Sequence, residues 1–277
     1  MKALSIAFGA YNAMLWRTIT GSGIGAVAFG AHRGKWPQPK VMRMHVWRGF
    51  IVMVMAVCFF FGIARVPLAE GIALSFIAPL IALYLAAIIL KEKIGRAAIS
   101  ASLLGLAGVA VILAGKLSGD YPDDAPIGIA AILISAVFYA YNLILQRQQA
   151  LMAGPTEIAL FQNLSIAGML LLAAPWFGQV PTANLWPLVL ASASLAYVSQ
   201  WLLSWAYARA EAQQLIAVEY TAFIWASIVG WLAFDERVTW ATVGGTILIV
   251  TGCWLATRAK PELAEDIAEA TPVTPVN

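Results

Sequence analysis

Residues 65–113 read RVPLAEGIALSFIAPLIALYLAAIILKEKIGRAAISASLLGLAGVAVIL. Two apolar runs, 68–90 and 97–114, flank one charged turn carrying Lys91, Glu92, Lys93 and Arg96. Each run is close to the roughly 20 residues that a helix needs to cross a bilayer. Neither shows the alternating ten-residue pattern of a barrel strand. Helices also satisfy their own backbone polar groups, which lipid demands of any span. This stretch therefore reads as two consecutive transmembrane helices.

The rest of the chain has the same character. Of 277 residues, 61% are hydrophobic and 11% charged, against about 25% charged in a soluble domain. A soluble fold of this size has too little interior for that much apolar surface. Nine helices are expected, at 11–31, 46–64, 68–90, 97–114, 126–146, 156–175, 186–208, 213–234 and 240–257. The fold class is thus an all-α polytopic membrane protein. The tail from 259 to 277 is rich in Pro, Glu and Ala and reads as disordered. Cys58 and Cys253 both lie in apolar runs, so no disulfide framework or metal site is expected. The net charge of +3 is spread over loops and does not point to nucleic acid. Residues 1–15 lack the pattern of a cleavable signal peptide.

The opening stretch recurs. An offset of 144 residues carries Arg65 onto Arg209, Glu92 onto Glu236, Ala97 onto Ala241 and Gly108 onto Gly252. The same offset carries the run at 156–175 onto 12–31, and that at 186–208 onto 42–64. The run at 126–146 has no counterpart, because it would map ahead of residue 3. The repeat unit is then five helices, of which the first copy shows four. A first helix is expected to be missing from this chain; the alternative is a genuine nine-helix protein. Domain bounds follow at 1–120 for the first repeat, 121–258 for the second and 259–277 for a cytoplasmic tail.

Basic residues set the orientation. The segment 32–45 holds Arg33, Lys35, Lys40 and Arg43, and is read as a cytoplasmic loop that also carries His32 and His45. Lys91, Lys93, Arg96, Arg147, Arg209, Arg258 and Lys260 fall on the same side. Lys2, Arg17, Arg65, Lys116 and Arg237 fall on or near the outer side, with the acidic linker 120–124. An odd number of helices per unit inverts the second copy. Inverted repeats are a transporter signature, with substrate near the midplane between them.

The two copies, with Arg65 and Arg209 before a helix, Glu92 and Glu236 in the following turn, and Gly108 and Gly252 sixteen residues on, resemble the repeated domain of the drug/metabolite transporter superfamily, EamA type. The upstream pattern WRGF…FFFGIARVPLAE is similar to the third helix of that family. The resemblance covers 11–257. It implies ten helices with both termini cytoplasmic, in a bacterial inner membrane, and export of amino acids or other small metabolites. Other branches move S-adenosylmethionine, threonine and homoserine, or riboflavin. The chain departs from the family in lacking the first helix, and in carrying Tyr220 where a Pro often follows the ninth-helix acid.

Several span residues carry chemistry. Glu219 lies about 9 Å inside the run at 213–234, where a carboxylate is costly unless solvated, paired or protonated. It reads as a proton-coupling acid or a partner for a substrate ammonium; its repeat mate is Ser75, and Phe76 and Tyr220 follow the two. The run at 126–146 offers Ser135, Phe138, Tyr139, Tyr141 and Asn142. That at 186–208 offers Ser194, Tyr197, Gln200, Trp201 and Ser204, with 194, 197, 201 and 204 on one face. Aromatic groups with polar tips suit a cavity for an organic solute. The substrate-cavity set is therefore Glu219, Tyr220, Ser75, Phe76, Tyr139, Asn142, Tyr197, Gln200 and Trp201. Pro79 interrupts a helix and is a candidate gating hinge. Gly21/Gly25 and Ala241/Gly245 have the spacing of close helix contacts. Trp36, Trp176, Trp186 and Trp240 read as interfacial belt residues.

A secondary transporter with no cofactor fits these features, with a small-molecule substrate and the lipid bilayer as its partners and protons as the candidate coupling ion. The export of amino acids or similar solutes is the first reading, and uptake of a vitamin or metabolite is the second. An enzyme would need a nucleophile–base pair or metal ligands within spans, and no such motif is present. A non-transporting sensor or scaffold would need a soluble effector domain, which the sequence lacks.

Overall fold

The computed structural model describes residues 1–78, 80–82, 84–85, 96–116, 123–209 and 221–258. Every described element is helical: α1 (Lys2–Phe8), α2 (Ala10–Ala31), α3 (Pro39–Ile63), α4 (Leu68–Ser75), α5 (Arg96–Lys116), α6 (Ala125–Met152), α7 (Pro155–Phe177), α8 (Trp186–Arg209), α9 (Ala222–Phe234) and α10 (Trp240–Arg258). A short 3-10 turn, Ala183–Leu185, leads into α8. Among these, α3, α6, α7 and the helical run 183–209 are long and apolar enough to cross a bilayer.

Local chemistry sets the ends. Pro39, Pro126 and Pro155 stand in the first turns of α3, α6 and α7, where a missing N–H costs nothing. Pro39 starts α3 seven residues ahead of the expected 46. His45, expected in a loop, is consequently inside α3 and fully buried. The sequence reading counted the basic residues as loop, but Lys40 and Arg43 sit exposed on the first turns of that helix. α6 likewise runs past 146, because Gln146 and Gln149 are buried against α3 rather than solvated. α9 stops at Asp235, whose left-handed φ of 53° lets the Glu236 N–H bond the Gly230 carbonyl at 3.1 Å.

The arrangement is that of two related halves. At the 144-residue offset α2 corresponds to α7, α3 to α8 and α5 to α10. α2 packs on α7 and α5 packs on α10, so equivalent helices meet each other, as they do across a two-fold axis. α3 packs on α7, and α2 packs on α8, its mate contact. The equivalence extends to side chains. Arg65 lies over the Phe61 ring at 3.5 Å and donates to the Phe61 carbonyl; Arg209 lies over the Trp205 ring at 4.5 Å and donates to the Trp205 carbonyl. α1, not expected from the sequence, falls at the same offset on 146–152, the last turns of α6.

Glu236, one of the repeated turn acids, has a visible task. Its Oε2 accepts the Leu68 N–H at 2.7 Å, capping α4, and its Oε1 pairs with the Lys2 ammonium. Lys2 also donates to the Val66 carbonyl at 2.7 Å. Gly21 and Gly25 do allow a close approach: a methyl on Gly25 would meet the Leu160 Cα and the Tyr197 ring at 3.1 Å. Trp36, Trp176 and Trp240 are exposed, whereas Trp186, the fourth expected belt residue, is half-buried with its ring edge-on to Trp16 at 5.3 Å.

Candidate substrate cavities

Among the described residues, two cavities border α3. The first, about 280 Å³, is lined mainly by apolar groups: Met55, Phe59, Phe60, Ile72, Phe76 and Tyr139, with Ser75 and Ser135 as its polar points. Ser135 donates to the Met55 carbonyl at 2.8 Å and Ser75 to the Gly71 carbonyl at 2.9 Å, so both hydroxyls already serve the backbone. The second cavity, about 170 Å³, is more polar. Arg17 from α2, Gln162 and Asn163 from α7, and Gln200 from α8 line it, with Val52, Ala56 and Ala196. Met55, Ala56 and Phe60 belong to both walls, so the cavities adjoin.

The second cavity lies between the halves. Val52 and Ala196 occupy equivalent repeat positions, as do Ala56 and Gln200, and all four line it. A transporter built from inverted repeats holds its solute at such a place. Gln200 donates to the Gln162 side-chain carbonyl, and Asn163 donates to the Ala159 carbonyl at 2.8 Å.

The sequence-derived set divides. Ser75, Phe76 and Tyr139 line the first cavity and Gln200 the second. Asn142 turns away, accepting from Arg48 Nε at 2.9 Å. Tyr197 is buried against Gly25, and its hydroxyl has no hydrogen-bond partner among the described residues. Trp201 donates to Thr156 Oγ1 at 3.1 Å. Ser194 is exposed; the buried stripe of α8 runs instead through Val189, Ala193, Tyr197, Ser204 and Tyr207. Glu219, Tyr220 and Pro79 lie outside the described residues.

A polar cluster that the sequence reading passed over joins α3, α6 and α7. Arg48, 2% exposed, donates to Asn142 and to the side-chain carbonyls of Gln146 at 2.9 Å and Gln149. Gln149 also bonds His45 Nδ1 at 2.6 Å, and His45 Nε2 meets Glu157 Oε1 at 3.0 Å. The His45 ring stacks on Phe161, with centroids 5.3 Å apart.

The two related halves are also seen in a comparison with known protein families. The sequence matches the EamA-like transporter family over residues 1–114 and again over 126–258. The chain belongs to that family. This EamA-like transporter is 29% identical over 215 residues to the pseudopaline exporter CntI of Pseudomonas aeruginosa, covering 77% of this chain and 74% of that protein. It is 26% identical over 192 residues to a riboflavin transporter of Vibrio cholerae, covering 69% and 63%. A crystal structure with 20% identity superposes with a TM-score of 0.63 over 93% of this chain and 94% of the other, which shows a shared fold. The EamA-like chain is therefore a multi-pass membrane transporter and not an enzyme.

Proposed function

We propose that this EamA-like transporter is a secondary exporter of small organic metabolites such as amino acids, working by alternating access at the cavity between its repeats. The observation that carries the reading is the polar cavity lined by equivalent positions of the two halves, Val52 with Ala196 and Ala56 with Gln200. The match to the family in two stretches supports the division at 1–120 and 121–258. The exporter among its relatives favours export, and the riboflavin transporters keep uptake as the second reading. A bacterial inner membrane fits the bacterial sources of these relatives, with the exposed Arg33, Lys35, Lys40 and Arg43 facing the cytoplasm.

Glu219 remains the proposed proton-coupling acid, or the partner of a substrate ammonium, and Pro79 the proposed hinge. The deciding experiment is flux into and out of proteoliposomes, screened over amino acids, vitamins and nucleosides with and without a pH gradient. Transport of at least one such solute is expected, lost or made pH-independent in Glu219→Gln. The absence of flux for every class, with correctly inserted protein, would sink the transporter reading.

A further inference from the structure

Arg17 is a cation inside the bundle to which the described protein gives no anion. Its Nη2 reaches only the Met14 thioether at 3.1 Å, a weak acceptor. Its Nε is buried with no hydrogen-bond partner among the described residues. Among the described residues no carboxylate comes within ion-pair range of it. A charge held this way within a span is costly, and such charges mark solute paths. Arg17 does not merely sit in packing; it forms one wall of the cavity between the halves, opposite Gln162, Asn163 and Gln200.

We infer that this cavity is the carboxylate subsite of the transported solute, and that the solute is an amphipathic organic acid whose apolar body lies in the adjoining cavity of Phe59, Phe76 and Tyr139. The inference rests on the transporter reading above and narrows its substrate class. A guanidinium presents paired N–H donors that fit a carboxylate in a planar, bidentate way. One guanidinium matches one negative charge, whereas a phosphate dianion calls for more than one cation. The side-chain amides opposite supply hydrogen bonds of either sense, which suits a head group with further polar atoms. The shared walls at Met55, Ala56 and Phe60 put an apolar lining directly beside the charged one. A solute longer than its carboxylate head thus meets aromatic surface next.

The test uses the full chain, purified and reconstituted in liposomes. Binding of 3-phenylpropionate, 3-phenylpropanamide and 2-phenylethyl phosphate is measured by ligand-induced shifts in thermal unfolding. The acid is expected to bind about tenfold more tightly than the neutral amide. Arg17→Gln should erase that preference, and Arg17→Lys should keep part of it. Equal binding of acid and amide, or an acid preference that survives Arg17→Gln, would overturn the inference. A phosphate ester favoured over the acid would overturn the carboxylate assignment. If Arg17→Gln does not insert, Gln200→Met decides: a weakened acid preference supports the site and an unchanged one overturns it. Flux of the same acid is followed in parallel. Arg17-dependent binding without flux of any solute sinks the transporter reading and leaves the subsite standing. Flux of other solutes indifferent to Arg17 sinks the subsite alone.

Discussion

Arg48 and Arg17 are both arginines on the first half's helices, both inside the bundle, and their surroundings are opposite. Arg48 is met by three side-chain carbonyls from one face of α6, at 142, 146 and 149. Arg17 is met by a thioether and a cavity. Hydrogen bonds to a charged donor contribute about 1.5–3 kcal/mol each when buried partners would otherwise go unpaired. Arg48 therefore ties α3 to α6. Arg17 contributes little to holding α2 in place and is better explained by something that binds beside it. Arg48 is fully buried and Arg17 half-buried, and the larger difference between them is the number of acceptors each one meets.

The contrast can be broken by measurement. Arg48→Met should have the largest effect, about 3 kcal/mol or more of destabilisation, because it strands the amides of Asn142, Gln146 and Gln149. Thermal unfolding in detergent would show it, and a variant as stable as the parent would remove the tie between α3 and α6. Gly25→Leu approaches the same contrast from the contact of α2 with α7 and α8. Its side chain would drive α2 from Leu160 and Tyr197, costing about 2 kcal/mol by overpacking and reducing flux. Unchanged stability would mean that α2 and α7 do not need that close contact. Glu157→Gln removes the anion from His45 and should cost about 1 kcal/mol, read as a small drop in Tm. A drop as large as that of Arg48→Met would move the centre of the cluster to Glu157. Arg17→Gln should change stability least, and in the favourable direction, since it relieves an unanswered charge. A marked loss of Tm in this variant would put the two arginines in one class.

Much of the fold was legible. Runs of about 20 apolar residues and the 144-residue offset located α2, α3, α5, α6, α7, α8 and α10, because lipid leaves a chain few other ways to cross; the expected runs at 68–90 and 213–234 lie only partly within the described residues. The offset also foresaw side-chain equivalence at Arg65 and Arg209. The interior was less legible. His45 ends a basic stretch and reads as loop until the helix is known to start at Pro39, and Arg48, inside the expected run at 46–64, was not singled out. The signal for their cluster was present in Asn142, Gln146 and Gln149, spaced by four and three residues on one face of α6. Tyr139 and Asn142, three residues apart, were grouped as one site, yet α6 shows the first to a cavity and the second to Arg48. Arg17 was assigned by topology to the outer side; only the packing of α2, α7 and α8 puts it against an internal space.

The crossing of α5 and α10 has a consequence of its own. A methyl on Gly108 would sit 2.5 Å from the Gly245 carbonyl oxygen, and a methyl on Gly245 would sit 2.5 Å from the Gly108 carbonyl oxygen. Neither position can drift without the other giving way, so the two behave in mutational terms as a single locus spread over both repeats. A gene fusion or recombination event that exchanged one repeat for that of a distant relative would have to preserve a glycine on each side of the junction, or lose the seam at which these helices are joined.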